Sequence, residues 1–282
     1  MNEKSLLMIN IKGELVDLSS PLVMGIMNIT PDSFYTGSRK QTEKEIIDRT
    51  CQLKEEGADI IDIGGYSSRP DAVFVSEEEE MKRLDFALPI VFREYPDAVV
   101  SVDTFRSEIA KRCVEVYGAA IINDISAGEL DPGMPDTVAA LQVPYIIMHM
   151  RGTPQTMMQY TEYDSLISDI FMYFSRKVEE LRLKGVNDII LDPGFGFSKT
   201  TDQNYQLMNR LEEFRIFDLP VLVGISRKTM IRQVLDCTSE ESLTGTVVLN
   251  TISLLKGASI IRVHDVKQAV QTVQLINKVN RS

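Results

Sequence analysis

Short apolar runs, most of them continuous, recur along this chain, and each ends in a polar or glycine-bearing cluster. They lie near residues 22–28, 58–63, 98–103, 119–124, 144–149, 188–192, 220–225 and 259–263. Runs this short, with no alternation of polar and apolar positions, predict strands covered on both faces, as in a parallel sheet wrapped by helices. Between them the periodicity turns helical. Thr42 with Glu45, Ser76 with Glu79, and Thr238 with Glu241 have capping-box spacing and predict helix starts just after them. Segment 164–185 sets Leu166, Ile170, Phe171, Phe174, Val178 and Leu181 at helical intervals, as expected of an outer helix packed on the sheet. Residues 5–19 hold two short apolar runs around Lys12-Gly13, a hairpin that could plug the amino-terminal end of the fold. The acidic run Glu77 to Glu80 reads as a solvated helix start that complements the helix dipole.

Eight strands alternating with helices predict an α/β chain folded as a (β/α)8 barrel, because right-handed crossovers leave few other closed arrangements. An open doubly wound sheet is the alternative, but it gathers its functional groups from a few strands at a switch point. Here polar chemistry follows every strand. In order come Asn28 and Thr30, Ser68 and Arg69, Asp103, Asn123 and Asp124, His149, Asp192, Ser226 and Lys228, and Arg262 and His264. No GxGxxG follows the first strand and no GxxxxGK[ST] occurs, so the phosphate-cradling turns of dinucleotide and P-loop proteins are missing. The length of 282 residues fits one barrel domain over 1–282.

Charge and cysteines narrow the class further. A net charge of -11, from 30 basic and 41 acidic side chains, argues against nucleic acid as a partner. No apolar stretch approaches the roughly 20 residues needed to span a bilayer. The opening MNEKSLLMINIKG lacks the core of a signal peptide, so a cytoplasmic protein with no membrane contact is expected. Cys51, Cys113 and Cys237 have no metal-ligand spacing, and neither a disulfide framework nor a zinc site is expected.

Eight motifs, taken in order, are more specific than any one of them. GIMNITPDSF (25–34), DIGGYSSRP (62–70), SVDTF (101–105), IINDISAG (121–128), MHMRGTP (148–154), LDPGFGFSK (191–199), GISRK (224–228) and IRVHDV (261–266) together resemble the dihydropteroate synthases, the sulfonamide targets of folate synthesis. The resemblance implies a transferase that joins a dihydropterin methyl diphosphate to 4-aminobenzoate. It implies Lys228, Arg262 and Asp103 as the catalytic set and Asn28 as the ligand of a Mg2+ that bridges the phosphates. It also implies a homodimer formed through outer helices.

A pterin makes sense of the side chains. Its 2-amino-4-oxopyrimidine edge presents adjacent N–H donors and seeks a buried carboxylate, the role given to Asp192. By resemblance, Asp103 and Asn123 take the remaining ring nitrogens, Lys228 the carbonyl edge, and Arg262 stacks on the ring while reaching phosphate oxygens. Arg69, Arg262 and His264, if protonated, are the candidates for the diphosphate. Phe197, Pro70 and Phe34 would flank the aminobenzoate ring, with Ser68 and Lys228 lining its pocket and Ser226 at its carboxylate. His149 reads as a hydrogen-bonded barrel residue. Many members have GGESTRPG where this chain has GGYSSRPD, so Tyr66, Ser68 and Asp71 replace an acid, a threonine and a glycine. The loop Tyr35-Thr36-Gly37-Ser38 likewise stands in place of the usual aspartate and paired glycines, and would be expected to act as a lid. Two other readings share the plan: a methyltetrahydrofolate-dependent methyltransferase, and a pterin-binding regulatory protein without turnover.

Overall fold

The alternation hidden inside the apolar runs decides what each strand buries. In the computed structural model, which describes residues 7–29, 39–67 and 74–280, eight strands run parallel. They are β3 (Leu22–Asn28), β4 (Ile60–Gly64), β5 (Val100–Asp103), β6 (Ile121–Asp124), β7 (Tyr145–Met148), β8 (Ile189–Asp192), β9 (Leu222–Val223) and β10 (Ile260–Val263). β1 (Met8–Ile11) and β2 (Glu14–Asp17) form a separate antiparallel hairpin. The order β8-β7-β6-β5-β4-β3-β10-β9 is closed by a parallel bridge between Leu191 and Val221, so the barrel has no free edge. Among the described residues, no helix is long and apolar enough to cross a membrane.

Successive residues of each strand face opposite sides. One set, including Val23, Ile61, Val102, Ile122, Ile147, Leu191, Val223 and Ile261, packs outward against the helices. The other set fills the barrel floor with Met24, Ile60, Ile121, Ile146, Ile190, Leu222 and Ile260. Ile9, Ile11 and Leu18 of the hairpin belong to this second cluster, so the hairpin seals the amino-terminal end as expected. Two residues further along the same inward rows, the floor gives way to Asp62, Asn123, Asp192 and Arg262. The sealed floor therefore leaves one end of the barrel for chemistry, the carboxyl ends of its strands.

The ring of helices comprises α1 (Arg39–Glu55), α2 (Glu77–Glu94), α3 (Ser107–Tyr117), α4 (Met134–Leu141), α5 (Leu166–Leu183), α6 (Thr201–Asn209), α7 (Thr229–Leu235), α8 (Leu243–Leu255) and α9 (Val266–Asn280). α5 buries Leu166, Ile170, Phe174 and Leu181, with Phe171 and Val178 at the margin, as its periodicity predicts. Ser76 caps α2 by accepting from the Glu79 N–H. Two expectations, on Thr42 and on Glu80, need correction. Thr42 and Glu45 lie inside α1, which is already helical at Arg39. Thr238 and Glu241 exchange both capping bonds just ahead of α8, as expected, with the helix itself running from Leu243. Glu80 is not solvated: it falls on the buried stripe of α2 with Leu84, Ala87 and Val91 and is ion-paired to Arg106.

Candidate active site

Arg262 ends a short inward row on β10, and two neighbouring strands supply its counter-charges. Its Nε donates to Asp62 Oδ2 at 2.6 Å and its Nη2 to Asp103 Oδ2 at 2.7 Å. Asn123 Nδ2 donates to the same Asp62 oxygen at 3.2 Å. Arg262, Asp103 and Asn123, expected together from the motifs, are therefore brought together, and Asp62 joins them. Asp62 is fully buried, and its Oδ1 has no partner among the described residues. An aspartate set between isoleucines in DIIDIGG was the available signal. Asp124, next along β6, is directed instead into its own loop, where it accepts from Ser126, Gly128 and the Tyr145 hydroxyl.

The loop from Asp192 to Lys199 carries the second group of charges. Asp192 accepts from the Gly194 N–H at 2.8 Å. Gly194 has φ +72°, and a Cβ there would collide with the His149 carbonyl, so only glycine lets this turn fold down onto the end of β7. At Gly196, φ +80°, a Cβ would press on the Lys228 side chain at 3.2 Å. Lys228 crosses the turn to donate to the Phe195 carbonyl, with its ammonium 4.7 Å from the Phe197 ring centroid. Beneath the turn, Lys199 is buried and in contact with His149. His149 is thus a buried barrel residue among Tyr163, Tyr173 and Phe174, as expected.

A third group ties the last two barrel loops together. Arg227, at φ +57°, grips Asp265 through two parallel bonds of 2.9 and 2.7 Å. Ser226 Oγ accepts from the His264 N–H at 3.2 Å, which ties the same two loops together a second time. Sequence reasoning missed this clamp because its members come from loops far apart in the chain. Asn28 ends β3 in register with Gly64 of β4. Thr30, Phe34, Tyr35 to Ser38, Ser68, Arg69, Pro70 and Asp71 lie outside the described residues.

Burial sets the protonation of these groups. It raises Asp103 to about 7 against the pull of Arg262, with Asp62 adding to the rise. It also raises Asp192, opposed by Lys228, the Gly194 N–H, Arg262 and Lys199. Burial lowers Lys228 to about 8 and Lys199 to about 7, while Asp192 works to hold both charged. Burial works against charge on Arg262 as well, but Asp62 and Asp103 outweigh it, and its value ends above the ordinary one. His264 is lowered to about 4 by burial and by Arg262, so in the free protein it is a neutral donor or acceptor rather than the cation considered above. The arrangement can recognise a flat, polar, nitrogen-rich ring against fixed charges and present cationic groups to an anion beside it.

Comparison with known proteins is consistent with that chemistry. A family model described as pterin binding enzyme matches residues 24–264. The chain is similar to the dihydropteroate synthase of Escherichia coli K12, 39% identical over 267 residues and covering 94% of each chain. It is also similar to that of a Synechocystis strain, 40% identical over 264 residues, covering 92% of this chain and 90% of the relative. Among solved structures, Yersinia pestis dihydropteroate synthase in a sulfonamide drug complex superposes with TM-score 0.88 at 37% identity, covering 98% and 99% of the two chains. The Xanthomonas albilineans enzyme with 4-aminobenzoic acid gives 0.89 at 34%, covering 99% and 100%.

Asp103 makes the network pH-dependent in a definite direction. An acid raised on folding holds a proton that the unfolded chain has released, so the stability it contributes is fullest at low pH and declines as pH rises towards its folded value of about 7. Asp103→Asn removes that decline. In urea unfolding at about pH 5 and about pH 8, the loss of stability between the two is expected to shrink in the variant; an equal or larger loss would contradict the assignment.

Proposed function

The chain belongs to the pterin-binding enzyme family, and we propose how its barrel mouth performs the dihydropteroate synthase reaction. The activity is that of a transferase of folate biosynthesis: (7,8-dihydropterin-6-yl)methyl diphosphate condenses with 4-aminobenzoate to give 7,8-dihydropteroate and diphosphate. The observation that carries the residue assignment is that Asp62, Asp103, Asn123 and Arg262 join in one network while Asp192 sits within the electrostatic reach of Arg262 and Lys228.

In this reading Asp192 accepts from the 2-amino and ring N–H groups, Lys228 donates to the ring carbonyl, and Asn123 and Asp103 take the other ring nitrogens. A ligand lacking one of these groups would leave a buried partner unpaired. Arg262, held edge-on by Asp62 and Asp103, offers its flat face to the ring and its remaining N–H groups to phosphate. His264 contributes a neutral hydrogen bond to the diphosphate, and Arg69 a further charge. Phe197 and Pro70 flank the aminobenzoate ring, with Ser68 and Lys228 lining its pocket. Ser226, which accepts from His264, keeps its own hydroxyl proton for the carboxylate.

The carbon–oxygen bond to the diphosphate breaks first, its electron pair leaving with the diphosphate while the ring electrons stabilise the exocyclic cation. The aniline lone pair then forms the carbon–nitrogen bond, and the resulting anilinium gives up one proton to solvent water. An aromatic amine is neutral near pH 7 and needs no strong base, which suits a site built from ring-reading and phosphate-binding groups. Asn28 would hold a Mg2+. Its amide oxygen is a hard, neutral donor, and among the described residues no three His, Cys, Asp or Glu side chains form a cage. That donor set fits an ion arriving with diphosphate oxygens and water as its other ligands. When bound, the ion would neutralise charge developing on the leaving group.

Exposed Val248 and Leu255 of α8 and Leu275 and Val279 of α9, on two helices packed together, support a homodimer through this face. Light scattering is expected to give twice 31.8 kDa, and a monomer mass would refute it. With both substrates, diphosphate release is expected to need Mg2+ and to yield a product joining the two, with a sulfonamide competing against 4-aminobenzoate. Asp192→Asn should lower kcat/KM about 100-fold or more without unfolding the chain. Turnover of methyltetrahydrofolate with a corrinoid acceptor, or pterin binding with no diphosphate released, would overturn the reading.

A further inference from the structure

Lys199, the residue before the α6 cap Thr200, is 2% exposed yet forms no ion pair with any described residue. Its ammonium is bonded to four neutral acceptors, Gly194 O at 2.9 Å, Phe197 O at 3.0 Å, His149 Nδ1 at 3.1 Å and, at 3.4 Å, His149 O. The bond to Nδ1 places the ring proton of His149 on Nε2. A buried cation with only neutral partners is costly unless an opposite charge stands nearby. Asp192, two residues before Gly194 and bonded to its N–H, is that charge. The same turn presents Phe195 O and the Phe197 ring to Lys228, so one buried ammonium braces both the carboxylate and the lysine of the site.

We propose that Lys199 is a positioning residue for pterin recognition: it pins the 193–197 turn against His149 and keeps Asp192 ionised and aimed into the barrel mouth. The proposal rests on the assignment of Asp192 to the pterin. The charged and titratable groups involved come from four directions. Asp192 stands on β8, Arg151 and His149 follow β7, Lys228 precedes α7, and Arg262 lies on β10. Of the cations acting on Asp192, Arg262 is held by two carboxylates, whereas Lys199 and Lys228 have no carboxylate contact among the described residues and both are bonded to the turn that follows Asp192. Its lowered proton affinity agrees with a charge maintained by Asp192 against burial.

Binding of 6-hydroxymethylpterin, which lacks the diphosphate, tests this in Lys199→Gln and Lys199→Met. Glutamine keeps amide donors for the turn but has no charge. Without the cation the Asp192 carboxyl rises further, so the acid limb of binding should move up by about one pH unit in both variants. Affinity should then fall by up to about tenfold on the acid side of that limb, and much less at alkaline pH where the carboxyl is ionised in parent and variant alike. An unchanged profile, or an equal loss at every pH, would overturn the proposal. Because Lys199→Met could unfold the chain, it is also compared in the parent and Asp192→Asn backgrounds by urea unfolding. The drop in midpoint should be about half as large, or vanish, where Asp192 is already neutral. Equal drops, or failure to fold in both backgrounds, would make Lys199 a merely structural residue. Undiminished pterin binding by Asp192→Asn alone would instead refute the role of Asp192.

Discussion

A partly buried guanidinium held between two carboxylates, Asp62 and Asp103, is the constraint around which the barrel mouth is organised. Removing charges from water is costly, and a buried pair recovers that cost only through close geometry and complete hydrogen bonding. Here the geometry comes from strand register. β4 and β5 pair with Gly64 opposite Asp103, and β10 flanks β3 on its other side with Arg262 opposite Met24, from where its long side chain reaches Asp62 and Asp103. Around this centre, three carboxylates (Asp62, Asp103 and Asp192) face three cations (Arg262, Lys228 and Lys199) at one end of the barrel. An uncharged ring can enter such a balance without upsetting it, whereas an anionic tail must stay where cations remain free to meet it.

The fold serves this centre through closure and a sealed floor. Because the barrel has no edge, strand ends cannot slide past one another, and the charged layer rests on apolar side chains that the hairpin covers with Ile9, Ile11 and Leu18. Loops then add orientation. Gly194 lets the loop after β8 fold onto β7, and the Arg227–Asp265 clamp locks the loops after β9 and β10 into one piece. Site precision thus comes from long-range pairings, while local propensity only places the elements.

The architecture was legible because strands buried on both faces are continuous apolar runs, and all eight runs became strands, although β9 shrank to two residues before Gly224. Asp192, Asn123, Lys228 and Arg262 were legible as polar groups ending such runs. Asp62 escaped because it lies inside its run rather than after it. Alternation was the missing signal, since Ile60, Asp62 and Gly64 share the inward face. Glu80 misled for a related reason: four consecutive glutamates look solvated, but the helical period carries the fourth onto the face occupied by Leu84 and Val91. The Thr200–Gln203 capping box of α6 had the required spacing and was passed over beside the more prominent glycine loop. The Arg227–Asp265 and Lys199–His149 contacts join residues 38 and 50 positions apart, and no local pattern encodes them.

If the two carboxylates hold Arg262 flat for a ring, the residue that touches no substrate should matter nearly as much as those that do. Calorimetric binding of 6-hydroxymethylpterin to Asp62→Asn tests this most directly, since Asp62 has no assigned contact with the ligand. About tenfold weaker binding, with cooperative unfolding retained, is the expected result. Affinity equal to that of the parent chain would show that Arg262 needs no such anchor, and the account of the barrel mouth would fail.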